Sequence, residues 1–275
     1  FQAPTVAELA ALLRSEGWLT PWTSLVEVQR SGNTTPLFYV SPYLISALSF
    51  HGLAEVLGDD VPFYVLQPQG LESDDPIHRS VEEMAAHYLR ELKTVQPHGP
   101  YRIGGHCAGG WVAFEMARQL QEAGEEVERL IVVDVEPPGI RPPRRKWLQY
   151  VASRVVLYGG SGRLLDAAGW QFDLWRERMR VRRADAVDDT RAREVRAVHR
   201  EAHRIYAGGR IEGDLVLIRS EEWARLPDKA WHLDWGQLVS GETEVCQVPG
   251  AHSALLHVAN VEELGGVITS VIGAR

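Results

Sequence analysis

The chain has 275 residues, 45% of them hydrophobic, and a formal net charge of −8; one α/β enzyme with an insertion accounts for that length and that much core. The acidic balance excludes nucleic acid as the default partner, and no run approaches the roughly 20 apolar residues of a membrane span. No secretory leader is visible, and Cys107 and Cys246, too few for a disulfide scaffold, fit a reducing, cytoplasmic setting.

Pro4 to Leu13 opens with a capping box, Thr5 to Glu8, and carries apolar residues at helical spacing. A polar, turn-rich stretch follows to about residue 22. From there, apolar runs bounded by turn residues predict strands at Leu25–Val28, Leu37–Val40, Phe63–Leu66, Arg102–Gly104, Leu130–Val133, Leu215–Arg219 and Thr243–Val248. Helical patterns lie between several of them. One starts with the capping box Ser80 to Glu83 and runs to about Lys93, with Met84, Ala85, Tyr88 and Leu92 on one side. Others cover Gly110 to about Ala123 and Ser253–Leu264. Strands alternating with helices predict a mostly parallel, doubly wound α/β sheet whose site lies at the strands' C-terminal ends. Cys246, inside the alternation Glu244–Val248, reads as a buried strand thiol.

Residues 138–209 break this pattern. Strand signals are few, helical ones are several, and Pro138 to Arg210 holds 17 Lys and Arg against 8 Asp and Glu. A basic helical insertion on an acidic body reads as a lid or a docking element. A solvated basic helix pair is the plainer alternative.

The chemistry concentrates in Gly105-His106-Cys107-Ala108-Gly109, between a strand and a helix. This is the strand–nucleophile–helix arrangement of a nucleophile elbow, with sulfur in place of a serine oxygen. Glycines two before and two after the nucleophile are expected because side chains there would collide across the turn. The turn places the thiol at a helix N-terminus, which favours thiolate and any developing anion. A cysteine nucleophile needs a base, and the base an orienting acid. Asp134 ends the run Leu130–Val133 and His252 follows the last strand, which gives the order nucleophile, acid, histidine. An oxyanion needs two backbone N–H donors. Ala108 supplies one, and Tyr43, in the loop after Leu37–Val40, is the choice for the other. His106 adjoins the nucleophile and is expected to point elsewhere. His199 and His203 stand at i and i+4, but Arg200 occupies the place where the zinc-protease pattern needs glutamate, so no metal site is assigned to them.

Here the residues carry a resemblance. Gly105 through Gly109, Trp111–Ala117, Leu120, Gly124, Val133-Asp134, Val65–Gly70 and Pro249–Leu256 together resemble the C-terminal thioesterase domain of nonribosomal peptide and polyketide synthetases, over about Pro36 to Ile272. Phe1 to about Ser15 resembles the last helix of a carrier domain. The resemblance implies an α/β-hydrolase fold and a thioesterase body from residue 23 to 275 with the lid at about 138–209. It implies Cys107 as nucleophile, His252 as base and acid, and Asp134 as orienter. The acyl chain would arrive on the phosphopantetheine arm of an upstream peptidyl carrier domain, with no cofactor in this domain. It would leave to water or to a nucleophile within the chain itself, from a monomeric enzyme. Two departures stand out. The family's early loop usually reads His-Pro-x-Gly-Gly, and here it reads Ser41-Pro42-Tyr43-Leu44-Ile45. Cysteine replaces the usual serine, and cysteine members of the family are associated with harder ring closures, including strained four-membered lactones and lactams. A stand-alone editing thioesterase, a small-ester or amide hydrolase and a catalytically silent docking module are the competing readings.

Overall fold

Short apolar runs without polar alternation form the centre of the sheet because helices cover both of its faces. The computed structural model describes residues 23–43, 45–70, 75–139, 190–224, 235–256 and 258–273. The carrier-like first helix, its linker and residues 140–189 of the expected lid lie outside the described residues. The strands are β1 (Leu25–Gln29), β2 (Leu37–Val40), β3 (Phe63–Leu66), β4 (Tyr101–His106), β5 (Val127–Val133), β6 (Leu215–Ser220) and β7 (Thr243–Val248). They lie in the order β1-β3-β2-β4-β5-β6-β7. β1 runs antiparallel to β3, and every other pairing is parallel. Each predicted strand is present, some lengthened at their ends.

Six α-helices flank the sheet among the described residues: α1 (His51–Leu57), α2 (Val81–Val95), α3 (Ala108–Glu122), α4 (Thr190–Ile205), α5 (Glu221–Ala224) and α6 (Val258–Gly273). Alternation along β2 divides the core. Phe38 and Val40 pack with Met84, Tyr88 and Leu92 of α2 and Val112, Phe114 and Met116 of α3. Leu37 and Tyr39 join the opposite cluster with Leu53 and Leu57 of α1 and Leu264 and Ile268 of α6. Each such side chain, fully buried, contributes about 1.5–3 kcal/mol of transfer free energy.

α2 begins as its capping box predicts. Ser80 Oγ accepts from Glu83 N–H at 3.1 Å, while the Glu83 carboxylate returns to Arg79 N–H at 2.8 Å, one residue earlier than the standard box. α6 outruns its predicted end near Leu264 and continues to Gly273. Gly265 lies inside it because a Cβ there would stand 2.4 Å from Val56 Cγ1 of α1. The predicted helical start at Ser253 is instead a 3-10 turn, His252–Ala254, and α6 begins at Val258.

α4 falls at the end of the basic segment and is fastened to the body at both ends. Arg191 donates to the carbonyls of Gly70 at 2.8 Å and Asp75 at 2.6 Å. Just beyond α4, Tyr206 donates to the buried carboxylate of Glu115 at 2.9 Å. Glu115 also accepts from Arg118 Nε and Nη2 at 2.8 and 2.7 Å and from Gln119 at 2.8 Å. Burial opposes ionisation of Glu115, but these donors outweigh it and hold the carboxyl below its usual range. Cys246 departs from expectation. Its strand, β7, is outermost, so the thiol is only partly buried and contacts the Glu244 carboxylate at 3.7 Å.

Candidate active site

The loops after β2, β4, β5, β6 and β7 meet at one end of the sheet, the end where parallel strands present their C-termini. Cys107 sits between β4 and α3 in the left-handed region, at φ 52°. Its N–H donates to Val133 O at 2.9 Å, and its carbonyl accepts from Gly110 N–H at 2.9 Å. The glycine requirement of the elbow is visible in distances. A Cβ on Gly105 would stand 2.3 Å from Gly109 O, and one on Gly109 would stand 2.3 Å from Val40 O. The turn therefore closes on itself and against the end of β2.

Asp134 follows β5 and also has a left-handed backbone, at φ 47°. Its carboxylate is buried, with Oδ1 accepting from Ser220 N–H at 2.7 Å and Oδ2 meeting His252 Nδ1 at 3.2 Å. His252 also hydrogen-bonds with Cys107. Burial disfavours the charged ring. The hydrogen bonds to Asp134 and Cys107, with the charges of both, outweigh it and push His252 from 6.5 up to about 10. The structure thus brings Cys107, His252 and Asp134, chosen from three separate stretches of sequence, into one hydrogen-bonded series. Such a series can hold a thiolate beside an imidazolium and shuttle one proton.

Ala108 is the first residue of α3, where an N–H has no intrahelical acceptor. Tyr43 lines the same small cavity as Ala108 and Gly109. Burial first, then the charge of Cys107, pushes its phenol up to about 12. Its ring packs edge-on against His203 of α4 at 5.2 Å. His203 is built into the framework. Its two ring nitrogens face His199 O at 2.6 Å and Ala108 O at 3.1 Å, which ties α4 to the elbow.

One expectation needs correcting. His106 does not point away from the site: its buried ring lies 4.8 Å from that of His252. Burial, and then the charge of His252, lowers it to about 3, so it stays neutral. The sequence reading also passed over Trp223 of α5, whose ring stacks on His252 at 5.8 Å and 28°. Its position just past the tip of β6 is the signal that could have found it, since strand tips on this side of the sheet surround the site.

Among the described residues, no helix is long and apolar enough to cross a membrane. His106, Asp134 and His252 offer ligand atoms within 4.8 Å of one another. The His252–Asp134 contact already occupies part of that set.

A family model for the thioesterase domain matches residues 35–271. The dimodular nonribosomal peptide synthase of Bacillus subtilis (strain 168) is 38% identical over 142 residues, covering 52% of this chain and 6% of that protein. Malpinin synthetase of Mortierella alpina is 31% identical over 262 residues, 92% of this chain and 3% of that protein. The inactive atromentin synthetase invA4 of Paxillus involutus is 34% identical over 151 residues, 54% of this chain and 16% of that protein. The chain spans only a small part of the length of the curated relatives it matches. The NocB thioesterase domain, solved as a covalent complex with a fluorophosphonate nocardicin G analogue, aligns with a TM-score of 0.61 and 26% identity over 86% of this chain and 94% of that one. A four-domain nonribosomal peptide synthetase bound to AMP and glycine shares the fold at a TM-score of 0.71 and 24% identity, over 98% of this chain and 22% of that one. With its mostly parallel sheet, helices on both faces and a cysteine elbow meeting a histidine and an aspartate, the chain belongs to the thioesterase domain family.

Proposed function

We propose that this chain is the chain-releasing thioesterase domain of a nonribosomal peptide or hybrid synthetase, with Cys107 as nucleophile, His252 as base and acid, and Asp134 as the carboxylate that orients His252. The observation that carries the reading is the hydrogen-bonded series Cys107–His252–Asp134 at the strand tips. The acyl chain arrives as a thioester on the phosphopantetheine arm of an upstream peptidyl carrier domain. The arm belongs to the carrier, and the domain itself needs no cofactor.

Cys107 Sγ attacks the thioester carbonyl while its proton resides on His252. The tetrahedral intermediate collapses, the bond to the pantetheine sulfur breaks, and His252 returns the proton to that leaving thiol. The product is a thioester on Cys107, so this exchange is close to thermoneutral. Water, or a hydroxyl or amine of the acyl chain, then attacks. His252 takes its proton and hands it to the departing Cys107 thiolate. Ala108 N–H and Tyr43 N–H hold the oxyanion in both steps. Residues 138–209 act as the lid, and the domain works as a monomer. A thioester intermediate is more reactive toward an internal nucleophile than an ester, which favours ring closure, including strained four-membered lactams and lactones, over hydrolysis.

The test is intact-protein mass spectrometry after mixing the chain with aminoacyl and peptidyl pantetheine thioesters. An acyl adduct on Cys107 that disappears in Cys107→Ala is the expected result. No adduct and no turnover, with Cys107 also inert to iodoacetamide, refutes it and leaves a silent docking module. Product masses separate ring from linear acid. Equal hydrolysis by wild type and Cys107→Ser, with no ring from either, refutes the ring-closing mode.

A further inference from the structure

His252 is held on more sides than the Cys–His–Asp series requires. Trp223 lies on one side of the imidazole, with ring centroids 5.8 Å apart and planes 28° from parallel. His106 packs against it at 4.8 Å and 60°. Both ring nitrogens of His106 are buried without a hydrogen-bond partner, so that ring serves neither a network nor solvent. Trp223 is placed by the same segment that holds the carboxylate. Its N–H donates to Ser220 Oγ at 3.3 Å, Ser220 N–H donates to Asp134 Oδ1 at 2.7 Å, and Asp134 Oδ2 meets His252 at 3.2 Å. The circuit from Asp134 through Ser220 and Trp223 back to His252 is therefore closed. Arg219, buried at the end of β6, donates to the Trp223 carbonyl and fixes it further.

We infer that Trp223 and His106 form an aromatic clamp of two rings that orients the His252 ring and favours its protonated form. The clamp rests on the proposed role of His252, and it makes both flanking rings positioning residues for that histidine. An imidazolium within about 6 Å of an indole face is attracted by the ring quadrupole, more strongly where water is excluded. His106 suits its place beside the imidazole because burial keeps it neutral; a second cation there would repel the first. Among the described residues, the charged and titratable groups around His252 include Asp134 after β5, Cys107 at the elbow, His106 at the end of β4 and Arg219 at the end of β6, the last of which lies close enough to act on Asp134. Trp223 carries no titratable group, so its removal changes the support of the imidazolium without changing the count of charges.

The experiment is an NMR titration of His252 in the full chain labelled at histidine ring carbons, with Trp223→Leu, Trp223→Phe and His106→Leu compared with wild type and His252→Asn used to assign the signal. Loss of a partly desolvated cation–π contact lowers the midpoint by about 0.5–1 pH unit in Trp223→Leu. Trp223→Phe, which keeps a ring, restores most of it, and His106→Leu lowers it as well by removing the second ring. A merely structural role predicts lower thermal stability in Trp223→Leu with an unchanged His252 midpoint in all three variants; that result overturns the clamp. Equal lowering in Trp223→Leu and Trp223→Phe also overturns it, because the ring would then be irrelevant. The titration needs no acyl donor. If Cys107 fails to form an adduct while the midpoint shifts as stated, the chain-release reading falls and the clamp stands; an adduct with no shift gives the reverse.

Discussion

Asp134→Asn isolates how much of this fold's pH dependence resides in one buried contact. The substitution keeps the shape and an oxygen to accept the Ser220 N–H, but it removes the charge facing His252. A rise from 6.5 to about 10 corresponds to about 5 kcal/mol at roughly 1.4 kcal/mol per unit. Asp134 and Cys107 share that rise, so the aspartate's part is about 2–3 kcal/mol. The sign follows from proton binding. His252 holds its proton more tightly in the folded chain, so the stabilisation is complete below pH 6.5 and is lost as pH rises through about 10. For a domain of this size, about 2–3 kcal/mol is roughly 5–10 °C in Tm. Calorimetry of wild type and Asp134→Asn, run in parallel from pH 6 to pH 10.5, should find the variant's deficit largest at pH 6 and smaller by roughly 5–10 °C at the alkaline end. Titrating groups remote from this contact cancel in the difference. A deficit constant across that range, or one that widens toward alkaline pH, refutes the assignment of the His252 shift to Asp134.

Adjacent glycines in α6 should behave oppositely. Gly265→Ala drives a methyl to 2.4 Å from Val56 Cγ1 and should lower Tm by several degrees. Gly266→Ala meets nothing within 4 Å and should raise stability by about 0.5–1 kcal/mol through helix propensity, both read by differential scanning fluorimetry. Gly109→Ala would place a Cβ 2.3 Å from Val40 O, so the elbow or the loop after β2 must move. Soluble protein that loads acyl groups at the wild-type rate would contradict that packing. Glu115→Gln should flatten the acid limb of stability. The wild-type carboxylate, held below its usual range, stabilises above about pH 4.5 and ceases to as pH falls through its folded value. A Tm-versus-pH curve from pH 3 to 6 with the same slope in both proteins would refute this.

The legible and illegible parts of this chain divide by the range of the interaction that sets them. Leu37–Val40 and Phe63–Leu66 announce themselves because a strand buried on both faces needs an unbroken apolar run. The elbow is legible because its steric demand falls on two glycines at fixed offsets, and Asp134 and His252 because strand tips are where an α/β sheet gathers its chemistry. α1 was not anticipated: it is seven residues long, carries Gly52 in its first turn, and is held by packing against α6. The end of α6 was placed too early for a related reason, since Gly265-Gly266 reads as a stop until Val56 is seen beside it. His106 and Trp223 meet His252 from different segments, one at the end of β4 and the other just past β6, because the strand tips gather at one end of the sheet. No local spacing encodes them.

Two residues of the site have backbones that L-amino acids avoid: Cys107 at φ 52° and Asp134 at φ 47°, at the tips of neighbouring strands. Each such conformation costs on the order of 1–2 kcal/mol in a side-chain-bearing residue. Drift under selection for folding alone would move both positions toward glycine, which accepts such geometry readily. A lineage that stopped using the site would lose these two side chains early, while the apolar strands beneath them persisted. Their joint identity therefore makes a compact marker for sorting relatives into working and retired copies, and it asks nothing of the rest of the sequence.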